Sequence, residues 1–346
     1  MWFFDGKKDS LSGLSLEFHR EKTQKISVKP PLEDLEDGFI SCSQCGVEID
    51  IGSYDALSIG RCAGCDMPVF IPMRVKDAWL YEPLGGGGMG SVYHSFHRRN
   101  ESVEFAVKVL PRKKRNDQSL AASLMREAEM CWDMGEHQHL NRVLDYGLWE
   151  DEYFAVFQYI DGIRLDHLID SPVKRPEKQI LLWALQILSA EQHMYDKGYL
   201  FRDLKPQNIM IDTSGNVKLI DFGLAMPLEE AANNVSNQIQ GSPYYLPPER
   251  IVGSGESQYS EIYSLGMLLF HVLAKKPYYS ADDIKSLVSK HVVSVRVNSL
   301  AGKLPYKTSS KLVAALEKMM ARVPDRRFQT YKECASVLFK IYKELA

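Results

Sequence analysis

FRDLKPQN, residues 201–208, says more about the fold than any other stretch of this 346-residue sequence, and DFG follows it at residues 221–223. The two runs carry an acid, a lysine, an amide and a second acid in the order that phosphoryl transfer from ATP uses. We expect Asp203 to take the proton of a substrate hydroxyl, and Asn208 and Asp221 to hold Mg²⁺ on the phosphates. Because one such run can arise by accident, its interpretation depends on the residues upstream.

A glycine-rich run lies upstream at residues 84–92 and fits the pattern G-x-G-x-x-G-x-V through Gly85, Gly87, Gly90 and Val92. Backbone amides of a tight glycine turn can approach phosphates because no Cβ is in the way. A dinucleotide-binding turn shares this glycine spacing, but it opens a helix, whereas β-prone residues follow Gly90. The run therefore predicts a phosphate-binding turn between two strands.

Lys108 lies in the next apolar run, FAVKVL at residues 105–110, and we expect it to contact the α- and β-phosphates. A surface lysine on a strand is the other interpretation, which the apolar neighbours disfavour. Glu127, in a helical pattern after Ser119, is our choice for the carboxylate that pairs with Lys108. Glu129 would point off that face of the helix, and a solvated glutamate is the alternative.

With these motifs in view, the chain from about residue 77 to its end resembles a eukaryotic-type (Hanks-type) serine/threonine protein kinase of the bacterial kind. Pro-Pro-Glu at residues 247–249 adds a further family motif in the family order. The resemblance implies an α+β, bilobal kinase domain over residues 76–346, with a β-rich N-lobe at about 76–158 and a helical C-lobe at about 159–346. Strand-like segments first and helical segments later agree with that fold class.

The resemblance also implies roles for single residues. Lys205 would stabilise the transferring γ-phosphate, and Ser242 stands where the family usually has a threonine that bonds to the catalytic acid and lysine. Glu249 would form a buried, structural ion pair with Arg327. The adenine would be bound by residues from both halves of the domain: Val92, Ala106, Phe157, Gln158, Ile160 and Met210. The cofactors implied are ATP and Mg²⁺ or Mn²⁺, and the substrates implied are proteins with serine or threonine hydroxyls.

Two departures from the family pattern bear on activity. Phe201 replaces the usual histidine, and Glu261 replaces the aspartate that anchors the catalytic loop. The extra methylene of Glu261 is expected to shift that loop, and a misplacement of ~1 Å can lower a rate on the order of a hundredfold. A pseudokinase that binds nucleotide and recruits partners is therefore the alternative function. A small-molecule phosphotransferase is disfavoured by residues 247–249, which in the family shape the peptide-binding surface.

The activation segment, residues 221–249, contains few hydroxyl groups. In the family, the arginine before the catalytic acid, here Arg202, commonly receives a phosphate from this segment. A phosphoserine adds about −1.5 to −2 charges and pairs well with arginine. We therefore expect Ser236 to be an autophosphorylation site, with Ser242 as the other candidate serine.

Four of the six cysteines form two C-x₂-C pairs that are separated by sixteen residues: Cys42, Cys45, Cys62 and Cys65. This spacing predicts one tetrahedral, structural Zn²⁺ site in a small zinc-ribbon-like β module at residues 39–73. Such a short segment cannot bury enough surface to fold alone, so the metal would supply folding energy. A redox pair and an iron site are the alternatives. The partner of the ribbon would be another protein or the kinase domain itself.

Composition limits the remaining possibilities. The net charge of −3 and the pI of about 6.3 disfavour nucleic acid and anionic membranes as partners. The basic run at residues 112–115 predicts a solvated loop. No apolar stretch reaches 18 residues, so we expect no transmembrane helix and a cytoplasmic location. Residues 1–38 are polar and charged and predict a flexible leader.

Overall fold

The computed structural model describes residues 28–87, 90–233, 240–293, 300–305 and 307–345. The chain divides into two compact units, which we call the sheet unit and the helical unit. Among the described residues, the sheet unit comprises residues 28–135 and 142–160, and the helical unit comprises residues 136–141 and 161–345. No helix within these described ranges has the length and apolar composition that a membrane crossing requires.

The sheet unit is built from ten strands and two helices, counted over its described residues. Its antiparallel six-stranded sheet has the order β5-β6-β7-β8-β10-β9. The elements are α1 (Leu32–Glu36), β1 (Phe39–Ser41), β2 (Glu48–Asp50), β3 (Ile59–Arg61), β4 (Pro68–Phe70), β5 (Met73–Val75), β6 (Ala78–Gly87), β7 (Gly90–His97), β8 (Asn100–Val109), α2 (Gln118–Met134), β9 (Val143–Trp149) and β10 (Glu152–Gln158).

Helix α2 has clear start and stop signals. The Asp117 side chain caps its N-terminus by accepting hydrogen bonds from the backbone N–H groups of Ser119 and Leu120. The helix ends at Gly135, whose φ of 68° suits a residue without a Cβ. Cys131, which lies in this helix, is buried.

Helix α1 departs from the flexible leader that was predicted for residues 1–38. Leu35 is buried in a core that it shares with the cysteine segment and the sheet, and Glu36 accepts a hydrogen bond from Trp79 Nε1 at 3.0 Å. Burial of a leucine and a tryptophan offsets the entropy of ordering this short helix. The leader prediction is therefore wrong for residues 32–36, while residues 1–27 lie outside the described part of the chain.

The cysteine segment and the sheet share one hydrophobic core. Strands β1 and β2 form one antiparallel hairpin and strands β3 and β4 form another, and β5 then pairs with β6 as the edge of the large sheet. The buried members of this shared core are Leu35, Ile40, Cys42, Ile49, Cys62, Ile71, Trp79, Tyr81 and Phe96.

The helical unit combines a mostly helical core with short strands. Its elements are β11 (Gly162–Arg164), α3 (Leu165–Asp170), α4 (Glu177–Asp196), β12 (Tyr199–Leu200), β13 (Ile209–Asp212), β14 (Val217–Leu219), β15 (Met226–Pro227), α5 (Leu228–Ala232), α6 (Pro248–Val252), α7 (Gln258–Ala274), α8 (Ile284–Val293), α9 (Ser310–Met319) and α10 (Tyr331–Glu344). Helix α7 is apolar on all sides and packs against α4, α9 and α10, so it forms the centre of this unit. Strands β11, β13 and β14 form one small sheet, and β12 pairs with β15.

The ion pair expected between Glu249 and Arg327 is present and buried. Arg327 donates to both carboxylate oxygens, at 2.7 Å from Nη1 and 2.9 Å from Nη2. Its other contacts are hydrogen bonds to the carbonyl oxygens of Ala321, Tyr259 and Arg322. The pair thus connects α6, in the segment after the catalytic residues, to the loop before α10.

We predict that Arg327→Met lowers the free energy of unfolding by about 3–5 kcal/mol, because it leaves the Glu249 carboxylate buried without its cation. Lys311→Met is the matched control. Lys311 pairs with Glu344 at 2.7 Å on the surface, and an exposed pair contributes at most about 1 kcal/mol. Urea denaturation of both variants measures the difference. Equal losses in the two variants would contradict the structural role of the buried pair.

Candidate active site and metal centre

The catalytic loop brings three predicted residues together. Asp203 Oδ2 accepts hydrogen bonds from Lys205 Nζ at 2.6 Å and from Asn208 Nδ2 at 2.8 Å. Asn208 Nδ2 also donates to the Asp203 carbonyl oxygen at 3.0 Å, so the loop closes on itself. Asp203 Oδ1 is buried and has no hydrogen-bond partner among the described residues. The carboxylate is thus held by one oxygen, and the other remains to accept a proton.

The DFG run is joined to this loop through the backbone. Ile220 N donates to the Asn208 carbonyl oxygen at 2.9 Å, which places Asp221 next to the catalytic loop. Asp221 itself is exposed and has a φ of 63°. Phe222 is buried and packs edge-on against Phe201, with ring centroids 5.7 Å apart. Phe201 therefore fills the place of the usual histidine by packing, and no ligand-binding group is lost.

Glu261 makes the anchoring contact despite its extra methylene. Its side chain lies in the first turn of α7 and is fully buried, and Oε2 accepts the backbone N–H of Arg202 at 2.9 Å. Burial raises the pKa of Glu261 from its ordinary 4.5 to about 7, although the nearby Arg250 opposes this shift. The extra methylene therefore does not prevent the anchoring contact, and its effect on activity stays a prediction.

Motif reasoning missed two buried residues beside this contact. The guanidinium of Arg202 donates to Glu256 Oε1, at 3.1 Å from Nε and 2.8 Å from Nη2. Arg250 Nε donates to the other oxygen of Glu256 at 2.7 Å. No sequence motif includes Glu256 or Arg250. The sequence feature that could have identified them is a pair of charged residues close to the largely apolar α7.

Ser242 lies near Asp203, the predicted catalytic acid. Ser242, Asp203 and Tyr245 are among the residues that line one small cavity. Within the described residues, however, no hydrogen bond joins the Ser242 hydroxyl to Asp203 or Lys205. Ser236 lies outside the described residues, so its expected phosphorylation has no structural counterpart here.

The sheet unit contains the expected lysine–glutamate pair. Lys108 Nζ in β8 lies 2.7 Å from Glu127 Oε2 and 2.9 Å from Oε1 in α2, and both side chains are buried. Glu129 is exposed instead, which agrees with the choice of Glu127. A Cβ at Gly90 would lie 3.1 Å from Lys108 Cε, so the absence of a side chain there leaves room for the lysine.

The remaining predicted nucleotide residues lie in both units. Within the sheet, Val92 pairs with Lys108, and Ala106 pairs with His94, so Val92, Ala106 and Lys108 share one face. Gln158 N donates to the Arg142 carbonyl oxygen at 2.9 Å, so a bond from Gln158 to a base requires its carbonyl oxygen.

Three other predicted positions are placed by secondary structure alone. Gly85 lies opposite Val92, and Gly87 lies opposite Gly90. Ile160 follows β10 at the end of the sheet unit, and Met210 lies in β13 of the helical unit.

The four paired cysteines converge in the sheet unit. Their sulfur atoms all lie within 4.8 Å of one another, with separations of 3.7 Å for Cys42–Cys65 and 3.5 Å for Cys45–Cys62. A tetrahedral zinc with Zn–S bonds of about 2.3 Å requires S–S separations of about 3.8 Å. The donor set and its spacing therefore fit a closed Zn²⁺ site.

The two cysteine turns have the same backbone design. Gly46 N donates to the Cys42 carbonyl oxygen at 2.9 Å, and Asp66 N donates to the Cys62 carbonyl oxygen at 2.8 Å. Hydrogen bonds from the backbone N–H groups of Cys45 and Gln44 lower the pKa of Cys42 to about 6. Turn amides thus favour the thiolate of Cys42, which is the form that binds metal, whereas burial and the neighbouring cysteines outweigh the turn amides and raise the pKa values of Cys45 and Cys65.

The family described as “Protein kinase domain” matches residues 80–339. The chain belongs to the protein kinase family. The probable serine/threonine-protein kinase PknB of Lactococcus lactis is 31% identical over 212 residues, which are 61% of this chain and 34% of that protein. PrkC of Bacillus subtilis is 32% identical over 213 residues, 60% of this chain and 32% of that kinase. PknB of Mycobacterium tuberculosis is 29% identical over 279 residues, 78% of this chain and 44% of that kinase.

These kinase relatives are considerably longer than the region they share with this chain. The chain spans from about a third to less than half of their length. The prediction of a protein kinase is confirmed at the level of the family. The residue roles and the substrates stay predictions.

We predict that the stability of the protein depends on pH through the buried carboxyl group of Glu261. Its pKa of about 7 in the folded protein lies above its ordinary 4.5, so the folded state holds this proton more tightly than the unfolded state. Its contribution to stability is therefore full below pH 4.5 and declines as the pH rises to about 7. Glu261→Gln should flatten this decline in urea-unfolding curves measured between pH 4.5 and 8.

Glu344→Gln, at an exposed carboxylate on α10, is the control and should keep the wild-type pH profile. An unchanged slope in Glu261→Gln would contradict the buried, raised-pKa state of this carboxyl group.

Proposed function

We propose that the chain is an ATP- and Mg²⁺-dependent protein kinase that transfers the γ-phosphoryl group of ATP to serine or threonine hydroxyls of proteins. The observation that carries the proposal is the state of Asp203, with Oδ2 held by Lys205 and Asn208 while the buried Oδ1 has no partner among the described residues. A carboxylate held in this way is suited to accept a hydroxyl proton. The kinase relatives, which are serine/threonine kinases by name, support the choice of hydroxyl.

The metal-binding groups fit Mg²⁺ by their chemistry. Asn208 directs its amide nitrogen at Asp203, so its carbonyl oxygen is left for a ligand, and Asp221 adds an exposed carboxylate. Mg²⁺ prefers such oxygen ligands, and when bound it would neutralise the charge that develops on the phosphate oxygens.

Lysine residues supply the remaining charge. Lys108, held extended by Glu127, would bind the α- and β-phosphates, and Lys205 would contact the γ-phosphate while it keeps Asp203 in place. Transfer then depends on positioning and on charge neutralisation rather than on a covalent intermediate. We also propose that the enzyme phosphorylates itself, with Ser236 and Ser242 as candidate acceptors.

We predict that Asp203→Asn lowers the rate of phosphate transfer to a generic protein substrate by about 10²–10⁴-fold, because the variant keeps the shape of the carboxylate but not its basicity. Lys108→Met should also lower the rate, whereas Lys113→Met, at an exposed lysine, should not. Transfer of radiolabel from ATP followed by phosphoamino-acid analysis measures both rate and hydroxyl type. If the wild type transfers no more label than Asp203→Asn, the chain is a pseudokinase.

We propose further that Cys42, Cys45, Cys62 and Cys65 bind one structural Zn²⁺, and that the six-stranded sheet is the partner of this zinc module. The shared core with Trp79, Tyr81 and Phe96 supports this proposal, as does the pairing of β5 with β6. All four ligand positions are taken by thiolates, so no position is left for a substrate.

Elemental analysis should find one zinc per chain in the wild type and none in Cys45→Ser. Loss of zinc should lower the melting temperature, because metal binding supplies folding energy to a module whose core the sheet shares. Cys131→Ala, at a buried cysteine outside the cluster, should keep its zinc. Equal zinc content in the two variants would rule out this ligand set.

A further inference from the structure

We infer that Glu256 is a positioning residue for the catalytic loop, and that its carboxylate takes the part expected of an activation-segment phosphate. The chain would then transfer phosphate without prior phosphorylation of that segment. This inference rests on the proposed kinase function. It concerns Arg202, the residue that such a phosphate is expected to bind.

Arg202 is already fully engaged within the chain. Its side chain is only 3% exposed, and Nε and Nη2 both donate to Glu256 Oε1, at 3.1 and 2.8 Å. Nη1 lies 3.1 Å from the sulfur of Met226. The main chain is held as well, because Glu261 accepts the N–H and Arg250 Nη1 donates to the carbonyl oxygen at 2.5 Å. An incoming phosphate would have to displace Glu256 before it could pair with this guanidinium.

Glu256 connects the same two elements that a phosphate would connect. Its backbone N–H donates to the Ala231 carbonyl oxygen at 3.0 Å, at the end of α5 in the activation segment. The neighbouring Gly255 packs so closely there that a Cβ would lie 2.4 Å from the Ala232 carbonyl oxygen. Glu256 therefore contacts the activation segment through its backbone and the catalytic loop through its side chain.

When Glu261 is ionised, above its pKa of about 7, the charges of this buried cluster are matched. Arg202 and Arg250 carry two positive charges, and Glu256 and Glu261 supply two carboxylates, all of them buried. A phosphate would add about −1.5 to −2 charges to this cluster. Because an uncompensated buried charge is strongly destabilising, the cluster has no electrostatic demand for a further anion.

The test compares unphosphorylated and ATP-treated enzyme. The full-length chain is produced with a protein phosphatase, its unphosphorylated state is verified by intact mass, and initial rates are measured before and after incubation with ATP and Mg²⁺. Asp203→Asn sets the background rate. We expect the unphosphorylated wild type to reach at least half the rate of the ATP-treated enzyme.

Two variants separate the charge of Glu256 from its size. Glu256→Gln keeps the size of the side chain and loses its charge. We expect its kcat to fall about 10- to 100-fold, because the catalytic loop would be displaced. The KM for ATP should change less than threefold. Glu256→Asp keeps the charge and should retain more kcat than Glu256→Gln. Glu344→Gln is the control. Thermal unfolding and active-fraction measurements correct each rate for misfolded protein.

Several outcomes would overturn the inference. One is an unphosphorylated wild type near the Asp203→Asn background that becomes active when its activation segment is phosphorylated. Others are a Glu256→Gln enzyme with wild-type kcat, or one that exceeds Glu256→Asp, since either would make the charge dispensable. If neither form of the wild type exceeds the background, the proposed function fails and this role for Glu256 fails with it.

Discussion

The hydrogen bond from the backbone N–H of Arg202 to the buried carboxylate of Glu261 is the contact on which the catalytic loop depends. Arg202 has a φ of 66°, in the left-handed region that a residue with a side chain adopts only when its surroundings impose it. Glu261 holds the N–H and Arg250 holds the carbonyl oxygen of this same residue. Both peptide groups that flank Arg202 are thereby fixed, and Asp203 follows directly. The orientation of Asp203, the predicted catalytic acid, is thus set from α6 and α7.

The residues that we expect to contact ATP or metal could be picked out from the sequence, because phosphoryl transfer demands particular residue types at short, fixed spacings. Asp203, Lys205 and Asn208 lie within six residues, and the structure brings them into hydrogen-bond contact. The pair Lys108–Glu127 could be predicted because a lysine in an apolar strand needs a nearby anion. The cysteine cluster followed from two identical spacings.

The supporting network could not be predicted in this way. Glu256 contacts Arg202 across 54 positions of sequence, and no local pattern specifies which buried acid meets which buried base. Helix α1 was missed for a related reason. Its sequence is polar apart from Leu32 and Leu35. The helix is stabilised by its tertiary contact with Trp79, which the sequence of the segment does not reveal. In both cases the structure depends on burial by residues that are distant in the sequence.

The two units hold their predicted site residues in place in different ways. The helical unit buries charged pairs next to the predicted catalytic loop, whereas the sheet unit joins the strands of the glycine run to a cysteine module through a shared apolar core. Metal bound by that module would stabilise strands β6 and β7, which flank the glycine run. In each unit, residues outside the predicted site hold the predicted site residues in place.

Amide hydrogen exchange at Arg202, measured by NMR on the unphosphorylated, nucleotide-free protein, tests this account most directly. The account predicts that this amide exchanges almost as slowly as the buried amides of α7, and that Glu261→Ala accelerates it selectively. An Arg202 amide that exchanges as fast as those of exposed loops would show that the buried carboxylate does not hold the catalytic loop.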